Sequence, residues 1–127
     1  MTVGLVVVSH SERAAEGIRE VAAEMADDTR IEAVGGDGQG GIGTVPDAIG
    51  DAIESADDGD GVVVLVDLGS AVMNADVAIE MGDADAVIAD APVLEGAVNA
   101  AVAATDPNAT IDTVRDQAEA AREIEKL

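Results

Sequence analysis

Val3-Gly4-Leu5-Val6-Val7-Val8-Ser9-His10-Ser11-Glu12 passes from one structural period to another within a few residues. Val3–Val8 is a continuous apolar run rich in β-branched residues, the pattern of a parallel strand buried on both faces. Ala14, Ile18, Val21, Ala22 and Met25 then recur at helical spacing. A buried strand feeding an amphipathic helix is the opening half of a βαβ unit. His10 stands at the junction and is the single histidine of the chain.

The alternation continues outward from this unit. Ile31–Val34 reads as a second, shorter strand, followed by a glycine-rich stretch over Gly35–Gly43 and a second helix over Val45–Ser55 with Ile49, Ala52 and Ile53 inward. Ala56–Gly61 is an acidic turn. Val62–Val66 is the clearest strand of all, and Asp67-Leu68-Gly69-Ser70 leads from it into a third helix. There Val72, Met73, Val77, Ile79 and Met81 are available for packing, with Met73 read as core. Asn74 reads equally well as a surface residue or as one that orients a neighbour. Ala86–Ala89 is a weaker fourth strand, closed by a structural turn at Asp90-Ala91-Pro92. Pro92 suits the first turn of a fourth helix running to about Ala104. After a turn at Asp106-Pro107-Asn108, Thr110–Glu125 predicts a last helix with Ile111, Val114, Ala118, Ala121 and Ile124 on one face.

Apolar strands alternating with helices predict an α/β fold: an open, doubly wound sheet of four parallel strands with helices on both faces and a C-terminal helix. Right-handed crossovers restrict the topology, and the usual small arrangement, which starts in the middle, goes one way and then crosses back, gives strand order 2-1-3-4. Residues 1–127 fit one domain. In such a sheet ligands gather beyond the carboxyl ends of the strands, where the connection reverses. That point lies between strands one and three, so His10 and Asp67 are expected to share a crevice although they are distant in sequence.

Composition narrows the function classes. With 27 acidic and 6 basic residues the formal charge is −21. Phosphate backbones and anionic membranes are repelled by such a surface. At molar salt the Debye length falls to about 3 Å and this self-repulsion is screened. An acidic surface with more arginine than lysine reads as halophilic adaptation, against the alternative of an acidic binding face. Aromatic residues are absent, so the core lacks the large buried areas that rings supply, and burial at a dimer interface is a natural supplement. The first residues carry no basic signal region and no apolar run is long enough to span a bilayer, so a cytoplasmic protein is expected. There is no cysteine, and one histidine alone makes no recognisable metal set, so no metal site is expected.

Those absences leave His10 as the candidate for group transfer. A histidine at a helix start suits phosphoryl acceptance, because the free N–H groups of the first turn attract phosphate oxygens. Ser9 and Glu12 have the S-x-x-E spacing of a capping box, which would fix the turn around the ring. An aspartate accepting a hydrogen bond from one ring nitrogen leaves the other as nucleophile, and Asp67 is placed for that role. The plainer reading of His10 is a solvated or capping side chain. Gly38-Gln39-Gly40-Gly41-Ile42-Gly43 matches G-x-G-x-x-G in letters. However, it does not follow the first strand and has no acidic residue at the expected distance, so it is not read as a dinucleotide site. It is left as a flap over the crevice or a flexible connection, with Gly43 and Thr44 available to a phosphate.

An ordered set of motifs carries a family resemblance. Val8-Ser9-His10-Ser11, Gly35-Gly36 with Ile42-Gly43-Thr44, Asp67-Leu68-Gly69-Ser70-Ala71 with Met73-Asn74, and Pro92-Val93-Leu94-Glu95-Gly96 together resemble the phosphotransfer subunits of phosphotransferase-system (PTS)-dependent dihydroxyacetone kinases, the DhaM family. The likeness covers essentially the whole chain. That family resembles mannose-type enzyme IIA domains in fold, in agreement with the order 2-1-3-4.

The resemblance implies an enzyme subunit, a phosphotransferase working through phosphohistidine. His10 would accept phosphate from an HPr-like phosphocarrier, a separate protein. It would pass the group to ADP held on the nucleotide-binding subunit of the kinase, and the regenerated ATP would phosphorylate dihydroxyacetone bound covalently on a third subunit. Asp67 would orient the ring, and Ser9, Ser11, Gly43, Thr44, Gly69 and Ser70 would line the phosphate crevice. No cofactor of its own is implied, since ADP and ATP reside on the partner, and a homodimer is expected. Two rivals stay open: the IIA domain of a mannose-type sugar transporter, and a non-catalytic regulatory module.

Overall fold

The computed structural model describes residues 2–127. Within them four strands, β1 (Gly4–Ser9), β2 (Ile31–Gly35), β3 (Val62–Val66) and β4 (Ala86–Ile88), form one parallel sheet in the order β2-β1-β3-β4. This is the expected order, with the reversal between β1 and β3. Helices α1 (Glu12–Met25), α2 (Pro46–Ala56), α3 (Gly69–Met81), α4 (Val93–Ala103) and α5 (Ile111–Glu119) connect and cover it.

Alternation along the strands divides the core into two layers. Leu5, Val7, Val63 and Leu65 meet Ala15, Ala22, Ala97, Ala100, Ala101, Val114 and Ala118 from α1, α4 and α5. Val6, Val8, Val62 and Val64 face the other way, onto Ile49 and Ile53 of α2 and Ala71, Ala75 and Ala78 of α3. Alanine supplies most of the helical contact, so the helices sit close to the sheet and bulk comes from Val, Leu and Ile. Gly4 belongs to this economy of space, because a Cβ there would collide with the Ala56 carbonyl oxygen.

Several expectations shift. Met73, Val77 and Met81 are exposed, at 75%, 40% and 79% of their surface. The inward face of α3 is instead its alanine row, Ala71, Ala75 and Ala78. α3 is apolar nearly all round, so periodicity could not choose the buried side. On α1, Ala15 and Ala22 are buried and Ile18 packs against them, whereas Ala14, Val21 and Met25 face solvent. The last helix is shorter than expected: α5 ends at Glu119 and a single 3-10 turn, Ala120–Glu123, follows. Ile124 accordingly lies outside, 48% exposed. Thr110 caps α5, trading hydrogen bonds with Thr113. Pro92 is the cap of α4 rather than its first residue.

The expected capping box at α1 is also different. Ser11, not Ser9, is the N-cap, and its hydroxyl accepts the Ala14 amide at 3.2 Å. Glu12 is then the first helical residue. The reason is that β1 extends through Ser9, whose side chain is engaged elsewhere.

Candidate active site

Strand register explains how His10 and Asp67 meet. Val8 pairs with Val66 across β1 and β3. The Asp67 N–H carries the ladder one step further, donating to the Val8 carbonyl at 3.1 Å. The residues that follow both strands therefore leave the sheet side by side.

Asp67 receives three hydrogen bonds from the β1–α1 turn. Its Oδ2 accepts the Ser9 hydroxyl at 2.9 Å and the His10 amide at 3.0 Å, and its Oδ1 lies 3.0 Å from His10 Nδ1. Burial is the largest single influence on this carboxyl and pushes it upward. The His10 amide, the His10 ring and the Ser9 hydroxyl together outweigh burial and hold it below its ordinary value of 3.8. Asp67 is thus ionised at neutral pH and can only accept. In the neutral ring the proton belongs on Nδ1, donated to Asp67, and Nε2 keeps its lone pair.

Nε2 faces Ser70. The Ser70 Oγ is 2.9 Å from it, and with the proton on Nδ1 the hydroxyl is the donor in that contact. Ser70 is exposed and stands in the first turn of α3, where Leu68 caps without a side-chain bond. Within this turn the Ala71 amide donates to the Leu68 carbonyl at 3.0 Å, which leaves the Gly69 and Ser70 amides without a helical partner. Gly69 is the first residue of this helix. His10 and Asp67 side chains are 21% and 20% exposed, so the pair opens to solvent beyond the carboxyl ends of the two central strands.

The remaining expected residues divide by distance from the ring. Ser9 both donates to Asp67 and accepts the Ser11 amide at 3.1 Å, which locks the turn. Gly43 donates its N–H to the His10 carbonyl at 2.9 Å, bringing the glycine-rich stretch against the site. Gly35 ends β2 beside the same turn, where a Cβ would lie 2.5 Å from the Ser9 carbonyl oxygen. Thr44 is not bonded to the ring. Its hydroxyl and carbonyl accept the Asn74 amide at 2.6 and 3.3 Å.

Residues 36–43 are built around Asp37. Its carboxylate accepts the Gln39 and Gly41 amides at 2.8 and 2.9 Å, which holds its pKa below the ordinary value. Gly36, Gly38, Gly40 and Gly43 supply positive φ values of 82°, 84°, 87° and 151°. The glycines therefore shape a tight surface loop. A cavity of about 520 Å³ lies between this loop and the start of α1, lined by Ser11, Glu12, Arg13, Gly40, Gly41 and Ile42.

The residue that sequence reasoning left undecided is Asn74. A signal for it existed: Ser70 and Asn74 are four residues apart on α3 and so share a face.

Comparison with known proteins agrees with the fold. The family profile described as the PTS system fructose IIA component matches residues 4–115. A crystal structure described as the unknown function protein EF1359 superposes with a TM-score of 0.82 at 30% identity, over 94% of each chain. The class defined by this fold is thus the PTS IIA domain. The Lactococcus lactis protein named PTS-dependent dihydroxyacetone kinase, phosphotransferase subunit DhaM, is 39% identical over 94% of this chain and 95% of its own. A Listeria innocua phosphoryl donor subunit DhaM is 40% identical over 74% of this chain and 75% of its own. The chain belongs to the DhaM family. In Escherichia coli the DhaM relative is longer, and the 39% identical match spans 25% of it.

Proposed function

We propose that this chain is the phosphohistidine-carrying donor subunit of a dihydroxyacetone kinase, with His10 as nucleophile. The observation that carries the reading is the ring itself: Nδ1 held by an ionised carboxylate, Nε2 turned to an open rim beside the first turn of α3. Family membership and the names of the relatives point the same way.

The step follows from that geometry. The Ser70 hydroxyl must first leave Nε2, which needs only a rotation about one side-chain bond. The Nε2 lone pair then forms a bond to phosphorus as the N–P bond of a donor phosphohistidine breaks. The donor ring keeps the electron pair of the broken bond. The His10 ring becomes cationic, and Asp67 stabilises it through the Nδ1 proton that it already holds. The freed Ser70 hydroxyl can then donate to a phosphoryl oxygen, and the Gly69 and Ser70 amides of α3 add further partners. In the second half the terminal phosphate oxygen of ADP on a partner subunit attacks, the His10 N–P bond breaks, and ATP forms. Positioning and charge do most of this work, as in other phosphoryl transfers.

The donor in this reading is an HPr-like carrier, the acceptor is the nucleotide-binding subunit, and dihydroxyacetone is the final substrate. A homodimer belongs to the same proposal and is checked by light scattering at working concentration. The description of the matching profile as a fructose IIA component favours a second reading, in which a sugar-transporter subunit takes the phosphate.

Incubation with phosphorylated HPr, followed by mass spectrometry under neutral conditions, tests the relay. Wild type should gain one phosphate, on His10, and His10→Ala should gain none. Equal labelling of both would exclude His10. Transfer from labelled protein to purified kinase subunits with ADP, and not to a transporter IIB domain, distinguishes the two acceptors.

A further inference from the structure

Asn74 lies one helical turn from Ser70 on α3 and reaches in the same direction. Ser70 touches the ring. Asn74 instead spends its amide on Thr44, donating to Oγ1 at 2.6 Å and to the carbonyl at 3.3 Å. Gly43, the preceding residue, donates to the His10 carbonyl at 2.9 Å. The 43–44 segment is therefore held from two sides, by the backbone of the nucleophile and by the helix whose serine faces Nε2. Nothing local does this work: Val45 caps α2 without a side-chain bond, and Gly43 itself has a φ of 151°.

The polarity of the contact matters. An asparagine amide nitrogen can only donate, so Thr44 Oγ1 accepts, and the hydroxyl hydrogen of Thr44 is left to seek another acceptor. We propose that Asn74 is a positioning residue that aims the Thr44 hydroxyl at the phosphoryl oxygens carried on His10. The proposal rests on the phosphohistidine reading and adds a residue to it. No bond is made or broken at Asn74. It fixes a donor in advance, where negative charge accumulates as the group moves.

The test uses the full chain, phosphorylated HPr as donor, and single-turnover labelling of His10 over a range of donor concentrations. Asn74→Ala and Thr44→Val should each slow the rate at saturating donor by roughly 10-fold, below the loss typical of a full oxyanion donor. The donor concentration for half-maximal rate should stay within about twofold, since a phosphoryl-oxygen contact acts on the chemical step. The double variant should be no slower than either single one, because both remove the same hydroxyl contact. Thr44→Ser should restore the rate. Asn74→Asp is informative because a carboxylate accepts where the amide donates. It can keep the tether but draws the Thr44 proton away, and it should be as slow as Asn74→Ala.

Denaturation midpoints accompany each variant. If Asn74→Ala does not fold, the Thr44→Val and Thr44→Ser pair with Asn74→Asp still decides. Wild-type labelling with an unchanged rate in Asn74→Ala, or multiplicative losses in the double variant, overturns this proposal and leaves the relay standing. Absence of label on wild type overturns both.

Discussion

A carboxylate that accepts from a serine hydroxyl, a backbone amide and an imidazole has little conformational freedom, and neither has the ring it holds. That is the position of Asp67. Asp67→Asn preserves the shape but offers an amide that can present its N–H to the ring and impose the wrong tautomer. Phosphoryl acceptance should fall by roughly 10²-fold or more, by analogy with other histidines held by aspartate. Single-turnover labelling checks this, and an unchanged rate would remove Asp67 from the mechanism. The same contacts predict a pH effect on stability. The carboxyl titrates lower in the folded protein than its ordinary 3.8, so its contribution is fully present above the unfolded value and is lost as pH falls through the folded one. Urea midpoints of wild type and Asp67→Asn should differ at pH 7 and draw together as acid protonates the carboxyl, below its ordinary range. At this scale His10 was legible from scarcity and place, and its pairing with Asp67 from sheet connectivity. The role of Ser9 was not. Its spacing to Glu12 suggested a cap, and only the position of Asp67 in space shows where the hydroxyl goes.

Element boundaries turn on single side chains. Ser11→Ala removes the N-cap of α1 and should cost about 1 kcal/mol in chemical denaturation. At Gly35 the end of β2 presses on the turn that bears His10, with the Ser9 and Ser11 carbonyl oxygens 2.5 and 2.8 Å from a built Cβ. Gly35→Ala should therefore destabilise by about 1–3 kcal/mol and slow labelling as well, because the strain enters the site directly. The two faces of α3 give a third contrast. Met73→Lys, on the exposed side, should change stability by no more than about 0.5 kcal/mol. Ala75→Leu, on the fully buried side, should destabilise by about 1–3 kcal/mol through overpacking. Equal effects would mean that the helix is rotated from the orientation described. Strands and helices were legible here because runs of valine and the glycine–acidic turns punctuate the chain. The face of α3 was not, since small and large apolar residues surround its axis.

For the molecule as a whole, charge and core size pull against each other. The formal charge is −21 and the interior contains no aromatic residue. Arg19, Arg115, Arg122 and Lys126 are each already paired with a surface carboxylate, and such pairs contribute little. Most of the acidic side chains therefore repel one another across the surface. Raising NaCl from 0.1 to 1 M shortens the Debye length from about 10 to about 3 Å. The thermal midpoint should rise across that series, as the proposal of halophilic adaptation requires, and a flat or falling response would count against it.

Strand count, parallel sense and the order β2-β1-β3-β4 were legible in the linear pattern, which also singled out His10 as the candidate. Periodicity and the handedness of crossovers are local rules that need no coordinates. The tertiary structure decided what those rules do not reach: that Ser11 rather than Ser9 caps α1, that alanines rather than methionines face the sheet from α3, that Nε2 rather than Nδ1 looks outward, and that Asn74 holds Thr44. Each depends on which groups from distant parts of the chain compete for one hydrogen bond or one packing space. Register between β1 and β3 sets that competition, and a sequence read in order does not state it.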